Sequence, residues 1–346
     1  MSSDTWPIGV VIPTLDCLPR LGGHLDQLRE WSDQVEEIIV VDSYSRDGTV
    51  ELLRQRLRHP LLSIASHPRG LYQSWNHGVA QLRARYTYIS TVGDSITAAG
   101  LQHLLAAAES LACDVVISRP TFVGPQGKPV PQWTWPVHRL LSRQPLSQPT
   151  MLDPRDAFLI SALNSPAGML GSSASNLYRT ATLHAHPFPT AFGNMGDTAW
   201  ALQHAFDCRW GITPEAFSSF MIHPNAGRPV DAEAEALELR LDAVAKETVS
   251  SLAQRPGDAA HAPAMVEQLA SLLEERSRLR ACQRRYRAFR RSWWPWVLDP
   301  RAWMARRGRN RQRERLTTLT QGFLDEFHIP GQIKSAAAIL AEAARA

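Results

Sequence analysis

Three aspartates stand where apolar, β-rich runs stop. Residues 8–13 (IGVVIP) empty into Thr14-Leu15-Asp16, residues 37–41 (EIIVV) into Asp42-Ser43, and residues 86–92 (YTYISTV) into Gly93-Asp94-Ser95. A carboxylate at the end of a buried strand, with a glycine beside it to admit a ligand closely, is how open α/β sheets present groups to a ligand. A fourth aspartate, in Gly196-Asp197-Thr198-Ala199-Trp200, opens a helical pattern far downstream. Such acids can accept from a base or ribose, hold a hard cation on a diphosphate, or take a proton from an attacking hydroxyl. Each also has a plainer use, because Asp after a strand or before a helix is a good turn or cap residue.

The elements that must position them alternate. Helical spacing at Leu21, Leu25 and Leu28 predicts a helix over 18–31, and further helices are expected at 50–57, 71–83 and 98–111. Strands are expected at 8–13, 37–41, 61–65, 86–92 and 113–118. That alternation predicts a parallel, doubly wound sheet with helices on both faces. Residues 120–154 are rich in Pro, Gln and Trp without periodicity and read as a long loop. Residues 158–179 read as a small-residue loop (NSPAGMLGSSAS) running into a strand at 176–179. Asp47, ahead of Gly48-Thr49, suits a helix cap, and Trp200 suits the core better than a sugar-stacking surface. The turn-rich IHPNAGRP at 222–229 marks a boundary between a domain over 1–228 and a helical one over 229–346.

The chain has 346 residues, enough for one large domain and a smaller second one. Its four cysteines are scattered and form no CxxC pair, which disfavours a zinc or disulfide framework and suits a reducing compartment. The N-terminus shows no secretory pattern and no window is long and apolar enough to span a membrane, so a cytoplasmic location is expected. The formal charge of +4 conceals an asymmetry: across 276–315, fifteen arginines face only Asp299 and Glu314, which leaves the remainder acidic. No GxGxxG follows residues 8–13, against a Rossmann dehydrogenase, and no basic triphosphate loop follows them, against a nucleotidyltransferase.

Three stretches resemble the family 2 glycosyltransferases of GT-A fold: VVIPTLD at the start, then EIIVVDSYSRDGTVELL, then HPRGLYQSWNHGVAQLRARYTYISTVGDS. VVDSYSRDGT is similar to the family's VVDGSSTDGT, and RGLYQSWNHGV to its KGIYDAMNKGI. The resemblance fades after about residue 210 and omits the last third of the chain. It implies a GT-A, Rossmann-like domain and inverting sugar transfer from a nucleoside-diphosphate sugar, uridine-based for preference, to a hydroxyl of a glycan or lipid-linked acceptor. Thr14, Asp16, Asp42 and Ser43 would flank base and ribose. Arg69 and Asn76, with His77 beside them, would lie near the phosphates, and Gly93 and Asp94 at the diphosphate. Asp94 corresponds to the last acid of the family's DxD-like motif and would hold Mn²⁺ or Mg²⁺, although Thr91 and Gly93 replace the earlier acids. Asp197 would be the general base, with Gly196 where the family often has a second acid.

From position 265 the apolar residues Met265, Leu269, Leu272, Leu279, Cys282, Tyr286, Phe289 and Trp293 recur at threes and fours, interrupted by Arg276. Together with the Trp293-Trp294-Pro295-Trp296 cluster, this basic segment suits an anionic membrane surface, which would place the protein peripherally on an inner membrane face. A solvated face over a packed stripe is the alternative, and nucleic acid is disfavoured. The eroded acids also fit a catalytically degenerate GT-A-like binder of nucleotide or nucleic acid.

Overall fold

The computed structural model describes residues 5–130, 135–143, 145–222, 231–252, 262–291 and 300–327. In chain order the elements are β1 (Trp6–Thr14), α1 (Leu18–Leu28), β2 (Val35–Asp42), α2 (Thr49–Arg56), β3 (Leu62–Ser66), α3 (Leu71–Val79), β4 (Tyr86–Ile89), β5 (Ser95–Ile96) and α4 (Ala98–Ser110). Then follow β6 (Val115–Ile117), β7 (Thr121–Val123), α5 (Pro136–Arg143), β8 (Thr150–Leu152), α6 (Pro154–Asn164), β9 (Asn176–Arg179), α7 (Thr180–Ala185), α8 (Gly196–Gln203), β10 (Trp210–Ile212) and β11 (Ser218–Met221). Three long helices complete the described chain: α9 (Asp231–Leu252), α10 (Ala262–Arg291) and α11 (Pro300–Phe327).

The main sheet has the order β3-β2-β1-β4-β9-β6-β10-β8. Strands β3, β2, β1 and β4 are parallel, whereas β9 runs antiparallel to β4 and β6. Both faces are covered, so the central strands are apolar at almost every position. Ile8, Val10 and Ile12 of β1 pack under Leu21, Leu25 and Leu28 of α1 and Leu101 and Leu104 of α4. Val11 faces the other way, with Tyr72, Trp75 and Val79 of α3 and Trp200 of α8. A small sheet, β5-β11-β7, sits beside the end of β4.

The stretch expected as a loop over 120–154 holds β7, α5 and β8, each too short to show a period. Helix α6 was also missed, because every residue from Asp156 to Asn164 is buried and a helix covered all round has no polar face to mark it. Its signal was the cap: Asp153 accepts from the Arg155 N–H at 2.8 Å, with Pro154 at the first helical position.

One side of α6, with α8, packs against α9, α10 and α11 through Phe158, Leu163, Leu241, Leu269, Leu272, Leu279, Leu316 and Phe323. The stripe read along α10 is therefore packed as far as Leu279. Arg276, which interrupts it, is buried. The domain boundary near 228 and the tryptophan cluster at 293–296 lie outside the described residues.

Candidate active site

The chain runs outward from β1 through β2 to β3, and α3 then returns it to β4 on the opposite side of β1. The order of strands therefore reverses between β1 and β4, and the crevice beyond their carboxyl ends is where such sheets bind ligands. The loops after β1, β2 and β4 carry Asp16, Asp42 and Asp94 to that edge.

The first two loops are stitched together. Thr14 pairs with Asp42 in register, and its hydroxyl donates to Asp42 Oδ1 at 2.9 Å. The Ser45 N–H donates to Asp42 Oδ2 at 2.8 Å and the Ser45 hydroxyl to Oδ1 at 2.6 Å. Asp42 is buried, so its partners in this structure are the loop's own groups. Asp16, at a positive φ of 41°, accepts from the Arg46 N–H at 2.8 Å, and its own N–H donates to Ser45 Oγ at 2.9 Å. The Ser43 N–H donates to the Thr14 carbonyl, and Ser43 Oγ lies 3.2 Å from Ser74 Oγ on α3. Asp47 behaves as a cap, accepting from the Leu18 and Thr49 N–H groups. Between Ser43 and Ser45, Tyr44 takes a φ of 60° and leaves its ring 60% exposed. The sequence reading passed over Tyr44; the only signal was an aromatic where the similar family motif has serine.

After β4 the backbone turns tightly, with the Asp94 N–H donating to the Thr91 carbonyl at 3.0 Å and Gly93 at a φ of 107°. Asp94 Oδ1 accepts from the Met221 N–H of β11 at 2.9 Å, and Oδ2 from the Ser172 hydroxyl at 3.2 Å. Burial pushes its pKa up to about 7 against these two hydrogen bonds. Buried His24, whose pKa burial lowers to about 4, bridges the Asp94 carbonyl and Ser90 Oγ. Thr91 Oγ1 lies 3.0 Å from Ser173 Oγ.

Asp94 is the one acid of this turn that could hold a divalent cation, together with the phosphates of a bound donor. Hard cations take several oxygen ligands, with carboxylates prominent among them. Here the one acid gives both oxygens to internal donors, and its neighbours are Thr91 and Gly93. Among the described residues no three His, Cys, Asp or Glu side chains gather as a metal group. Asp94 ties the end of β4 to β11 and the loop before β9, and each of its oxygens keeps a lone pair with which it could hold a cation.

Arg69 lies exposed just before α3. Asn76 points elsewhere: its Nδ2 donates to the Phe188 carbonyl at 2.8 Å and its Oδ1 accepts from the Phe188 N–H at 2.9 Å. It thus fixes the segment leading to α8. The His77 ring lies 4.9 Å from that of His67. Asp197 occupies the first turn of α8, where the helix dipole favours a carboxylate. It is not the N-cap, a position held by Met195. Half-buried, it accepts from the Thr198 N–H at 2.7 Å. Burial pushes its pKa up to about 6, opposed by the Thr198 N–H and by the nearby Tyr72 hydroxyl, which itself donates to the Asn194 carbonyl at 3.2 Å. A Cβ at Gly196 would lie 2.5 Å from the Tyr72 ring, which explains why no second acid stands there.

The loop between α6 and β9 joins these pieces. Its Pro166 carbonyl accepts from the Thr198 hydroxyl at 3.2 Å, and Ser172 and Ser173 reach Asp94 and Thr91. Asp197 and Asp94 therefore flank the two ends of one loop.

The model of glycosyl transferase family 2 matches residues 9–160. Over that segment the chain is similar to the family 2 glycosyltransferases. No curated protein matches the chain. Among solved structures, S. aureus TarS 1–349 in complex with UDP-GlcNAc aligns with TM-score 0.57 and 16% identity, over 98% of this chain and 91% of that one. The uncomplexed TarS 1–349 gives TM-score 0.55 and 16% identity over the same shares. At these identities the likeness shows a common GT-A fold. It extends across α9–α11, which the glycosyltransferase sequence motifs did not reach.

Within the glycosyltransferase fold, the sequence reading brought Thr14, Asp16, Asp42 and Ser43 to one pair of loops and Gly93 and Asp94 to the next strand end. Missed were Ser45 and Ser172, whose hydrogen bonds hold Asp42 and Asp94, and Tyr72, whose hydroxyl lies beside Asp197. Trp200 is core, with its ring N–H donating to the His186 carbonyl.

Proposed function

We propose that this protein transfers a sugar from a nucleoside-diphosphate sugar to a hydroxyl acceptor with inversion at the anomeric carbon. Asp197 takes the proton from the acceptor hydroxyl as that oxygen attacks opposite the departing diphosphate. The observation that carries the reading is Asp197 itself: a carboxylate in the first turn of α8, with a pKa pushed up to about 6, held by the Thr198 N–H beside the Tyr72 hydroxyl. A base poised near neutrality is deprotonated at working pH yet strong enough to accept a proton. The loops at Thr14–Asp16 and Asp42–Ser45 shape the base and ribose site, with the ring of Tyr44 available for stacking. A uridine donor is supported by the UDP-GlcNAc bound in the TarS structure of the same fold.

The acceptor is a glycan or lipid-linked saccharide in this proposal, met at an anionic membrane surface from the cytoplasmic side. Arg285, Arg306, Arg307, Arg311 and Arg315 are exposed on α10 and α11, together with Trp303 and Met304. That is the mixture of cations and amphipathic aromatics that headgroup regions favour. No helix among the described residues is long and apolar enough to cross a membrane. We place the boundary between catalytic and helical domains near residue 228. The lost acids at Thr91 and Gly93 favour a second reading, a nucleotide binder without turnover. Thermal shift with UDP, GDP and dTDP, followed by transfer from the matching sugar nucleotide, separates the two. A stabilising nucleotide with turnover supports the transferase, and binding without turnover supports the second reading.

A further inference from the structure

We infer that Arg276 and Arg280 of α10 are positioning residues for sugar transfer: by holding the Ser165 carbonyl they set the loop that supports both Asp197 and Asp94. The inference rests on the transfer reading above and concerns what keeps that same site in order.

Ser165 is the C-cap of α6, where a helix leaves carbonyls without backbone partners and gathers partial negative charge. Two guanidinium groups from far along the chain close that end. Arg276 Nη2 and Arg280 Nη2 donate to the Ser165 carbonyl at 2.9 and 2.6 Å. Arg280 is completed from α9, by Asp242 at 2.6 Å and the Glu238 carbonyl at 3.1 Å. Arg276 is 7% exposed, and its Nε has no hydrogen-bond partner among the described residues. Burial, with Arg280 alongside, lowers its pKa to about 9. Adjacent buried cations are a poor source of stability, since apolar side chains of similar volume often serve as well or better. What the pair supplies is one place for the Ser165 carbonyl, whose two lone pairs are both taken.

The loop that starts there reaches both acids. The Pro166 carbonyl accepts from the Thr198 hydroxyl at 3.2 Å, and the Thr198 N–H donates to Asp197. Gly168 approaches α8 so closely that a Cβ there would collide with the Thr198 side chain. Further along, the Ser172 hydroxyl donates to Asp94 Oδ2 and Ser173 meets Thr91. A displacement at Ser165 is therefore passed to the first turn of α8 and to the turn after β4 together. Arg284, two turns further along α10, pairs with Glu235 at 2.9 Å and makes no hydrogen bond to this loop. It ties the same two helices without touching the site.

The test is steady-state release of UDP from UDP-GlcNAc and of GDP from GDP-mannose by the full chain, as wild type, Arg276→Met and Arg284→Met, each below the onset of its melting. Arg276→Met should lower kcat about tenfold with the donor KM held within about twofold, a fraction of the roughly 10²-fold that a misplacement of about 1 Å costs. Arg284→Met should keep both constants within about twofold of wild type. Amide exchange over residues 165–175 should quicken in Arg276→Met and not in Arg284→Met. Should Arg276→Met not fold, Asp242→Asn, which loosens Arg280 with both arginines in place, is held to the same expectations. Wild-type kcat in the variant, or equal losses in it and in Arg284→Met, overturns the inference and leaves the transfer reading intact. Wild type that releases nucleotide from neither donor removes the transfer reading and the inference with it.

Discussion

Arg276, in the middle of α10, donates from Nη2 to the carbonyl oxygen of Ser165 at 2.9 Å, and Arg280 one turn on donates to the same oxygen at 2.6 Å. Both arginines are buried, and Arg280 is also paired with Asp242 of α9 at 2.6 Å. Ser165 begins the loop that carries Ser172 to Asp94 and meets Thr198 beside Asp197. The C-terminal helices are thus fastened to the loop that joins the two acids. We expect Arg280→Met to cost more than Arg276→Met. The first leaves Arg276 on the Ser165 carbonyl but strands Asp242 and the Glu238 carbonyl, and losing one partner of a buried ion pair costs about 3–5 kcal/mol. The second leaves Arg280 on that carbonyl and should cost about 1–3 kcal/mol. Urea unfolding at matched m-values measures both, and equal losses would contradict the geometry.

Asp197→Asn should lower kcat by roughly 10²–10⁴ and leave nucleotide affinity unchanged. The base must be deprotonated to act, and burial places its pKa at about 6. Activity should therefore rise with pH through about 6 and be lost below it. Tyr72→Phe removes a nearby hydroxyl that favours the charged form, so the acid limb should move to higher pH. A limb that stays put would separate Tyr72 from the titrating group.

The fold was legible where strands are buried on both faces. Residues 8–13 and 37–41 are almost wholly apolar because helices cover both sides, and such runs need no periodicity to be seen. Strand β10 has only three residues, and α6 is packed between the sheet and α9–α11; neither carries a pattern of its own. At the site, residue types could place Asp42 and Asp94 at strand ends but could not show what their oxygens touch. The partners of Asp94 are Ser172, 78 positions away, and Met221, 127 away. Contacts of that range leave no local trace in sequence. The fall from an acid pair to Gly196-Asp197 looked like erosion, whereas it reflects the Tyr72 ring against Gly196.

Asp94 makes a pH prediction with a definite sign. Its folded pKa, about 7, lies above the unfolded value of 3.8, because burial disfavours the charged form. The folded state then holds a proton that the unfolded state has released between those pH values. This group's contribution is present below about pH 4 and is lost as pH rises to about 7. Asp94→Asn keeps an acceptor for the Met221 N–H and an amide for Ser172 Oγ, without the charge. Its stability should exceed that of the wild type at pH 8 and converge with it near pH 4. If Asn instead destabilises the protein equally at both pH values, the carboxylate is not held as a buried acid.

The exposed arginines of α11 should decide membrane attachment. Arg306→Glu, Arg307→Glu and Arg311→Glu together change the local charge by six, on side chains that face solvent. Each cation near an anionic surface contributes about 1 kcal/mol, falling off within a Debye length. The wild type should co-sediment with vesicles containing anionic lipid, release as salt is raised, and ignore neutral vesicles. The triple variant should stay in the supernatant while its melting temperature and nucleotide affinity hold. Arg307 lies over the Trp303 ring at 5.3 Å, so Trp303→Ala alone tests the aromatic part of the contact. Its loss should weaken binding to anionic vesicles with little change in salt dependence, since no charge is removed. Equal sedimentation of wild type and triple variant would reassign the arginines to a solvated face over the packed stripe of α10.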